Sequence, residues 1–173
     1  MIQPTDVTVV AAQLGREPRG LRAVAHRCPC ELPDVVETAP RLPDGTPFPT
    51  LYYLTCPRAA SAVSGLEARG MMREMIARLA DDATRAEYQR AHRDYVTRRA
   101  AAAVAAGLEP LPPGTQSAGG MPDRVKCLHA LVAHELAVPG SNVFGREALA
   151  AAGQWWSRGP CVTISEEAQC PGG

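Results

Sequence analysis

Four of the six cysteines stand where a folded chain could gather them around one metal ion or cluster: Cys28, Cys30, Cys56 and Cys127. Thiolates are soft, charged donors, and four converging sulfurs complete a tetrahedral zinc site or anchor the corners of an iron–sulfur cluster. Cys28 and Cys30 share a Cys-Pro-Cys turn whose proline stiffens the bend and helps point both sulfurs one way. Cys56 ends a strand-like run directly before Pro57. Cys127 falls within the first two turns of an expected helix, where the N-terminal partial charge lowers a thiol pKa. There is no Cys-x-x-Cys pair, and a long gap separates Cys56 from Cys127. The competing reading is therefore four small buried hydrophobes, since free cysteine is among the most buried residue types. Cys161, in Gly-Pro-Cys-Val, is the substitute should one of the four fail.

The histidines are constrained by helix geometry. On a regular helix Cys127 and His129 point about 200° apart, and Cys127 and His134 lie about 10 Å apart along the axis. At most one histidine joins Cys127, and only if the helix starts late; otherwise His129 and His134 are a surface and a core histidine. His26, two residues before Cys28, is a further possible ligand. A separate set, Gly119, Gly120, Arg124 and Lys126, could hold a phosphate or carboxylate on backbone N–H groups ahead of a helix. Two glycines fall far short of a phosphate-binding loop, and a plain flexible connection explains them as well. Asp34 and Glu37 alone are a weak acid–base pair, and no nucleophile motif stands out.

These groups must be positioned by strands in the first third of the chain and helices after it, an α+β arrangement. Thr5 or Asp6 could cap a short helix ended by Gly15. Gly20–Arg27, Pro33–Thr38 and Thr50–Thr55 are expected strands, and the four prolines between 40 and 49, with Asp44-Gly45, make a loop or wide hairpin. Pro57 opens a helical run to Leu79, with Gly65 and Gly70 as break points. A longer helix over 83–106 buries Tyr88, Ala91 and Tyr95 and carries Arg90–Asp94 and Asp94–Arg98 pairs at i,i+4. After a Pro/Gly loop over 108–120, a further helix is expected from Pro122-Asp123 and a last one from Arg146 to Ala152. Residues 1–162 read as one domain and 163–173 as an irregular tail.

Composition bounds the function classes. The chain has 173 residues, 46% hydrophobic and 21% charged, with 18 basic and 18 acidic residues. That is globular composition, and the neutral balance argues against a main role on nucleic acid or an anionic membrane. Lys126 is the only lysine, and the Arg, Ala and Pro abundance points to a high-GC bacterial genome. The Arg85, Arg93, Arg98 and Arg99 cluster reads as a solvated face, and Tyr52, Tyr53, Trp155 and Trp156 as core or lid. With no secretory h-region and no apolar run near 20 residues, the expectation is a cytoplasmic protein whose cysteines are reduced.

Three irregular strings carry a resemblance: Cys28-Pro-Cys-Glu-Leu-Pro-Asp-Val-Val-Glu-Thr, Phe48-Pro-Thr-Leu-Tyr-Tyr-Leu-Thr-Cys-Pro57, and Gly119-Gly-Met-Pro-Asp-Arg-Val-Lys-Cys-Leu-His-Ala-Leu-Val-Ala-His134. The chain resembles the bacterial domain of unknown function 501 family from near its start to about Val162. The resemblance implies glycine after the Cys-Pro-Cys, where this chain has Glu31. It also implies a gene placed near cell-division and exopolyphosphatase genes, but no activity. The leading expectation is an iron–sulfur cluster or zinc held by Cys28, Cys30, Cys56 and Cys127 in a structural or redox role. The alternative is a metal-free adaptor that binds a cell-division or polyphosphate-related protein through its Arg-rich helices. An anion-binding enzyme built on Gly119, Gly120, Arg124 and Lys126 is the third.

Overall fold

The computed structural model describes residues 2–164; Cys170 and the rest of 165–173 lie outside the described residues. Helix α1 (Pro4–Leu14) opens on a reciprocal cap between Gln3 and Asp6, and Gly15 closes it in the left-handed region at φ 67. Three strands follow, β1 (Leu21–Arg27), β2 (Pro33–Thr38) and β3 (Tyr52–Leu54), antiparallel in the order β1-β2-β3. Val36 pairs with Val24 on one side and Tyr53 on the other. The β1–β2 register shifts three times along seven residues, so β1 is an irregular edge. β2 is buried along both faces, contacted by α1 and by a helix of the C-terminal half.

The helices are α2 (Pro57–Ala68), α3 (Met71–Arg78), α4 (Asp82–Ala105), α5 (Leu128–Ala137) and α6 (Val143–Ala152), with a 3-10 turn at Trp155–Arg158. This is an α+β fold. The expected 57–79 helix breaks once, at Gly70 with φ 86, while Gly65 stays helical. α4 starts on Asp81, whose carboxylate accepts the Thr84 N–H at 2.8 Å. Of its expected ion pairs Asp94–Arg98 forms at 2.8 Å, whereas Arg90 turns to Glu87 instead. No helix among the described residues is long and apolar enough to cross a membrane.

The core runs from Val35, Leu51 and Leu54 through Val63, Tyr88, Tyr95, Leu131 and Phe144. Most polar groups inside it are paired, as buried groups ordinarily are. Tyr95 Oη accepts the Leu51 N–H at 2.6 Å, satisfying the chain as it enters β3. Arg99, expected on a solvated face, is buried at 3% exposure and donates to the carbonyls of Pro49, Gln116 and Thr115, tying the 108–120 loop to the strand entry. Gly145 lets α6 approach α5: a Cβ there would sit 2.2 Å from Leu131 O.

The expected start of the helix at Pro122-Asp123 needs correction. The chain from Ala118 to Lys126 is a series of turns, with Met121, Arg124 and Lys126 N–H donating to Ala118, Gly120 and Gly119 carbonyls. The helix begins only at Leu128, and Cys127 is its N-cap residue, extended at φ −154.

Candidate metal centre

That late start decides which side chains meet. An extended residue ahead of the helix frees Cys127 from helical spacing, so its sulfur and the His129 ring lie on one side. Cys127 Sγ is 3.9 Å from His129 Nδ1. Glu67, in the last turn of α2, faces them: its Oε1 lies 3.2 Å from the same Nδ1 and accepts the Leu128 N–H at 2.8 Å. These three donors lie within 4.8 Å of one another and are half-buried, the group of three or more metal-capable side chains that converges among the described residues.

The other face of the imidazole sets its tautomer. His129 Nε2 lies 3.1 Å from the Ala60 carbonyl and 3.2 Å from Ser64 Oγ. A carbonyl only accepts, so Nε2 carries the proton and the neutral ring offers its Nδ1 lone pair toward Cys127 and Glu67. A histidine whose second nitrogen donates to a backbone carbonyl is the usual support of a metal ligand. Electrostatics agree. Burial acts to raise the Cys127 thiol, but the His129 ring and the Ala130 backbone N–H outweigh it, so its pKa falls below the ordinary value. The Cys127 partnership pushes His129 up to about 9, against the opposing effect of burial and with help from Glu67. In the absence of an ion, a proton therefore sits on Nδ1 where a cation is favoured.

The structure does not gather Cys28, Cys30, Cys56 and Cys127 at one point. Cys28 and Cys30 are bonded to each other as a disulfide, contrary to the expectation of reduced thiols, so neither sulfur is a thiolate donor here. Their turn places Glu31 at φ 68, the left-handed region that favours glycine, which gives a physical reason for the glycine implied there. Cys56 is the N-cap residue of α2, 2% exposed, and burial pushes its thiol up to about 11. Cys161 packs beside it and receives the Gln13 side-chain N–H at 3.3 Å. Of the expected four, Cys127 is the one that joins a group of three metal-capable side chains among the described residues.

The expected anion set is partly brought together. Gly120, Arg124 and Lys126 line a cleft of about 330 Å³ with His92, which bonds Ser117 at 2.7 Å. The glycines themselves are explained by packing: a Cβ on Gly119 would meet Leu131 Cδ2 at 2.7 Å, and one on Gly120 would meet Arg124 O at 2.8 Å. His134 is a core histidine, fully buried and bonded to Asp94 and Asn142. His26 bonds Asp34 at 2.7 Å. Glu67 was invisible to sequence reasoning. A lone glutamate 60 residues from its partners makes no motif, and only the Ser64/Glu67 spacing of one helical turn hints that both face the same neighbour.

The family model described as "Protein of unknown function (DUF501)" matches residues 24–150. That span holds Glu67, Cys127, His129 and the Cys-Pro-Cys turn, and stops before Trp155 and Cys161. No curated protein and no solved structure matches the chain. With well over half of its length matched, the chain belongs to the DUF501 family.

Proposed function

We propose that this protein binds a single metal ion, zinc being the best fit, through Cys127 Sγ, His129 Nδ1 and a Glu67 carboxylate oxygen. The spacing of the donors supports this. Tetrahedral zinc with ordinary bond lengths needs roughly 3.6 Å between sulfur and nitrogen and roughly 3.4 Å between nitrogen and oxygen. The protein has 3.9 and 3.2 Å, so small side-chain adjustments suffice. One sulfur, one nitrogen and one oxygen suit a borderline ion better than an iron–sulfur cluster, which takes mostly thiolates. Three protein ligands leave a fourth position for water or an incoming group, the layout of a reactive rather than a closed structural site.

The residues' own parts follow from the geometry. Ala60 O and Ser64 hold the imidazole tautomer and plane. Glu67 ties the ion to the start of α5 through the Leu128 N–H. A bound zinc would supply Lewis acidity and a water easier to ionise.

The test is loading of chelator-treated protein with Co²⁺ as a spectroscopic substitute for zinc. One ion per chain with a thiolate-to-metal charge-transfer band is expected, displaced by zinc. Cys127→Ser should abolish the band, and Cys56→Ser should leave it. A band that survives Cys127→Ser, or no binding by folded protein, would falsify the assignment.

A further inference from the structure

The Cys28–Cys30 pair is surrounded quite differently from Cys127. After β1 the chain turns back through Cys28-Pro-Cys-Glu-Leu, closed by Cys28 N–H to Leu32 O at 3.0 Å and Glu31 N–H to Cys28 O at 2.8 Å. The disulfide sits in this turn. Cys28 is buried at 4% exposure and Cys30 is half-buried, so Cys30 is the member of the pair nearer to solvent. The Cys30 backbone N–H lies 3.3 Å from Cys28 Sγ, placed to bond that sulfur when it carries charge.

Beside the turn stands an acid–base pair. His26 Nδ1 is 2.7 Å from Oδ1 of Asp34, which is fully buried. A carboxylate accepts only, so it holds the ring proton on Nδ1 and leaves the Nε2 lone pair outward, the relation of an orienting acid to a base. Asp34 Oδ2 has no partner among the described residues. His26 lines a cleft of about 250 Å³ with Pro29 of the same turn, Leu136, Leu149, Trp155 and Trp156. Trp155 is nine-tenths buried, and its Nε1–H has no acceptor among the described residues. The indole nitrogen is itself enclosed, and what Trp155 and Trp156 give the cleft is an apolar wall, the two rings meeting edge-on at 4.8 Å.

We propose that the Cys28–Cys30 disulfide, the His26–Asp34 pair and the tryptophan cleft form a thiol–disulfide exchange centre that accepts electrons from an apolar dithiol. The dithiol lies in the cleft against the tryptophan wall, and His26 Nε2 takes the proton from one of its thiols. The thiolate attacks Cys30 Sγ, the Cys28–Cys30 bond breaks, and the electron pair leaves on Cys28, which the Cys30 N–H holds and which His26 reprotonates. The partner's second thiol then attacks the partner sulfur of the mixed disulfide. Its own disulfide forms, and Cys30 departs with that thiol's proton. In sum two electrons and two protons pass from the partner to Cys28 and Cys30, one S–S bond exchanging for another. The centre is independent of the Cys127 metal assignment and uses none of its residues.

The size of the effect is bounded. A free thiol of pKa about 8.5 is only about 3% ionised near neutral pH, so a base that completes the ionisation gains at most about thirtyfold. Roughly tenfold is expected of a half-exposed histidine.

The experiment uses the full chain, oxidised in air and mixed with excess dithiothreitol or dihydrolipoamide, with Cys28 and Cys30 thiols counted by alkylation and mass. Folded protein should be reduced, faster by the more apolar dihydrolipoamide, and Trp156→Ala should erase that preference. His26→Gln should slow reduction roughly tenfold near neutral pH, the gap closing above about pH 9 as thiols ionise unaided. Asp34→Asn should match His26→Gln. If Asp34→Asn does not fold, the half-exposed His26 position decides alone, with its fold checked by circular dichroism. Equal rates for wild type and His26→Gln would overturn the proposal. So would a disulfide that resists both dithiols until the chain is unfolded, or Cys28 and Cys30 that stay free after oxidised dithiothreitol.

Discussion

His134 Nε2 lies 2.9 Å from Asp94 Oδ2, and the two residues lock α5 to α4 from inside the core. On its other side the Asn142 amide faces His134 Nδ1 at 3.3 Å while its oxygen accepts the Gly145 N–H at the start of α6. Three helices thus meet on one imidazole. Tyr52 stacks on it and Tyr95 meets it edge-on.

This junction makes stability depend on pH. Burial pulls the His134 pKa below its ordinary 6.5, against the support of Asp94. The unfolded chain therefore takes up this proton first, and the stabilisation is fully present above pH 6.5 and lost as pH falls toward the folded value. Urea midpoints from neutral to mildly acidic pH should fall more steeply for wild type than for His134→Gln. The excess slope is bounded by one proton, about 1.4 kcal/mol per pH unit. Parallel profiles would refute it.

The free cysteines should separate by reactivity. In chelator-treated native protein Cys127 should be alkylated first by iodoacetamide, because His129 lowers its pKa while Cys56 is buried and shifted up to about 11. His129→Ala should slow Cys127, and zinc should protect it. Peptide mass mapping over time gives the order, and Cys56 reacting first would contradict it.

Gly145→Ala pits two effects against each other. Helix propensity alone favours alanine by about 1 kcal/mol. The added Cβ would stand 2.2 Å from Leu131 O and 3.0 Å from Glu135 Cβ, and backbone cannot yield cheaply. Overpacking of this kind costs about 1–3 kcal/mol or more, so the clash wins and Tm should fall by several degrees. An unchanged or raised Tm would show that α5 and α6 can part freely.

Arg99→Met should release the 108–120 loop. Bonds from a charged group are worth about 1.5–3 kcal/mol, but the apolar stem stays and the buried charge goes, so the net loss should be about 2 kcal/mol. The sharper readout is local. Hydrogen exchange or limited proteolysis should rise in 108–117 and stay low in α4, and uniform loosening would argue against a loop tether.

Glu31→Gly should stabilise. A side chain in the left-handed region costs about 1–2 kcal/mol, offset in part by glycine's greater freedom in the unfolded chain. A Tm gain of a few degrees is expected, and a loss would mean the Glu31 side chain contributes something its exposed position does not suggest.

Hydrophobic period and punctuation made most elements legible. Gly15 and Gly70 stop helices where the chain turns left-handed, and Tyr88, Ala91 and Tyr95 all lie in the core. The start of α5 was misplaced because Pro122-Asp123 looks like a helix opening, whereas the flanking Met121, Arg124 and Lys126 N–H groups are spent on successive turns. That error hid the site, since the Cys127–His129 contact exists only because Cys127 lies outside the helix. The expectation that a late start admits one histidine names the condition the structure meets. Arg99 shows the other limit: three carbonyl acceptors from the loop and the strand entry make burial tolerable, and no local pattern encodes them.

The irregular pairing of β1 has a consequence for how copies of this chain meet. An edge strand offers unpaired backbone groups to any passing strand, and a flat regular one invites stacking into fibrils. β1 shifts register three times in seven residues, and Arg22 spans from it to the Ala102 carbonyl while pairing with Glu37. The opposite edge, β3, is three residues long. β1 is too irregular and β3 too short to make a good template, so neither border favours growth of the sheet by addition.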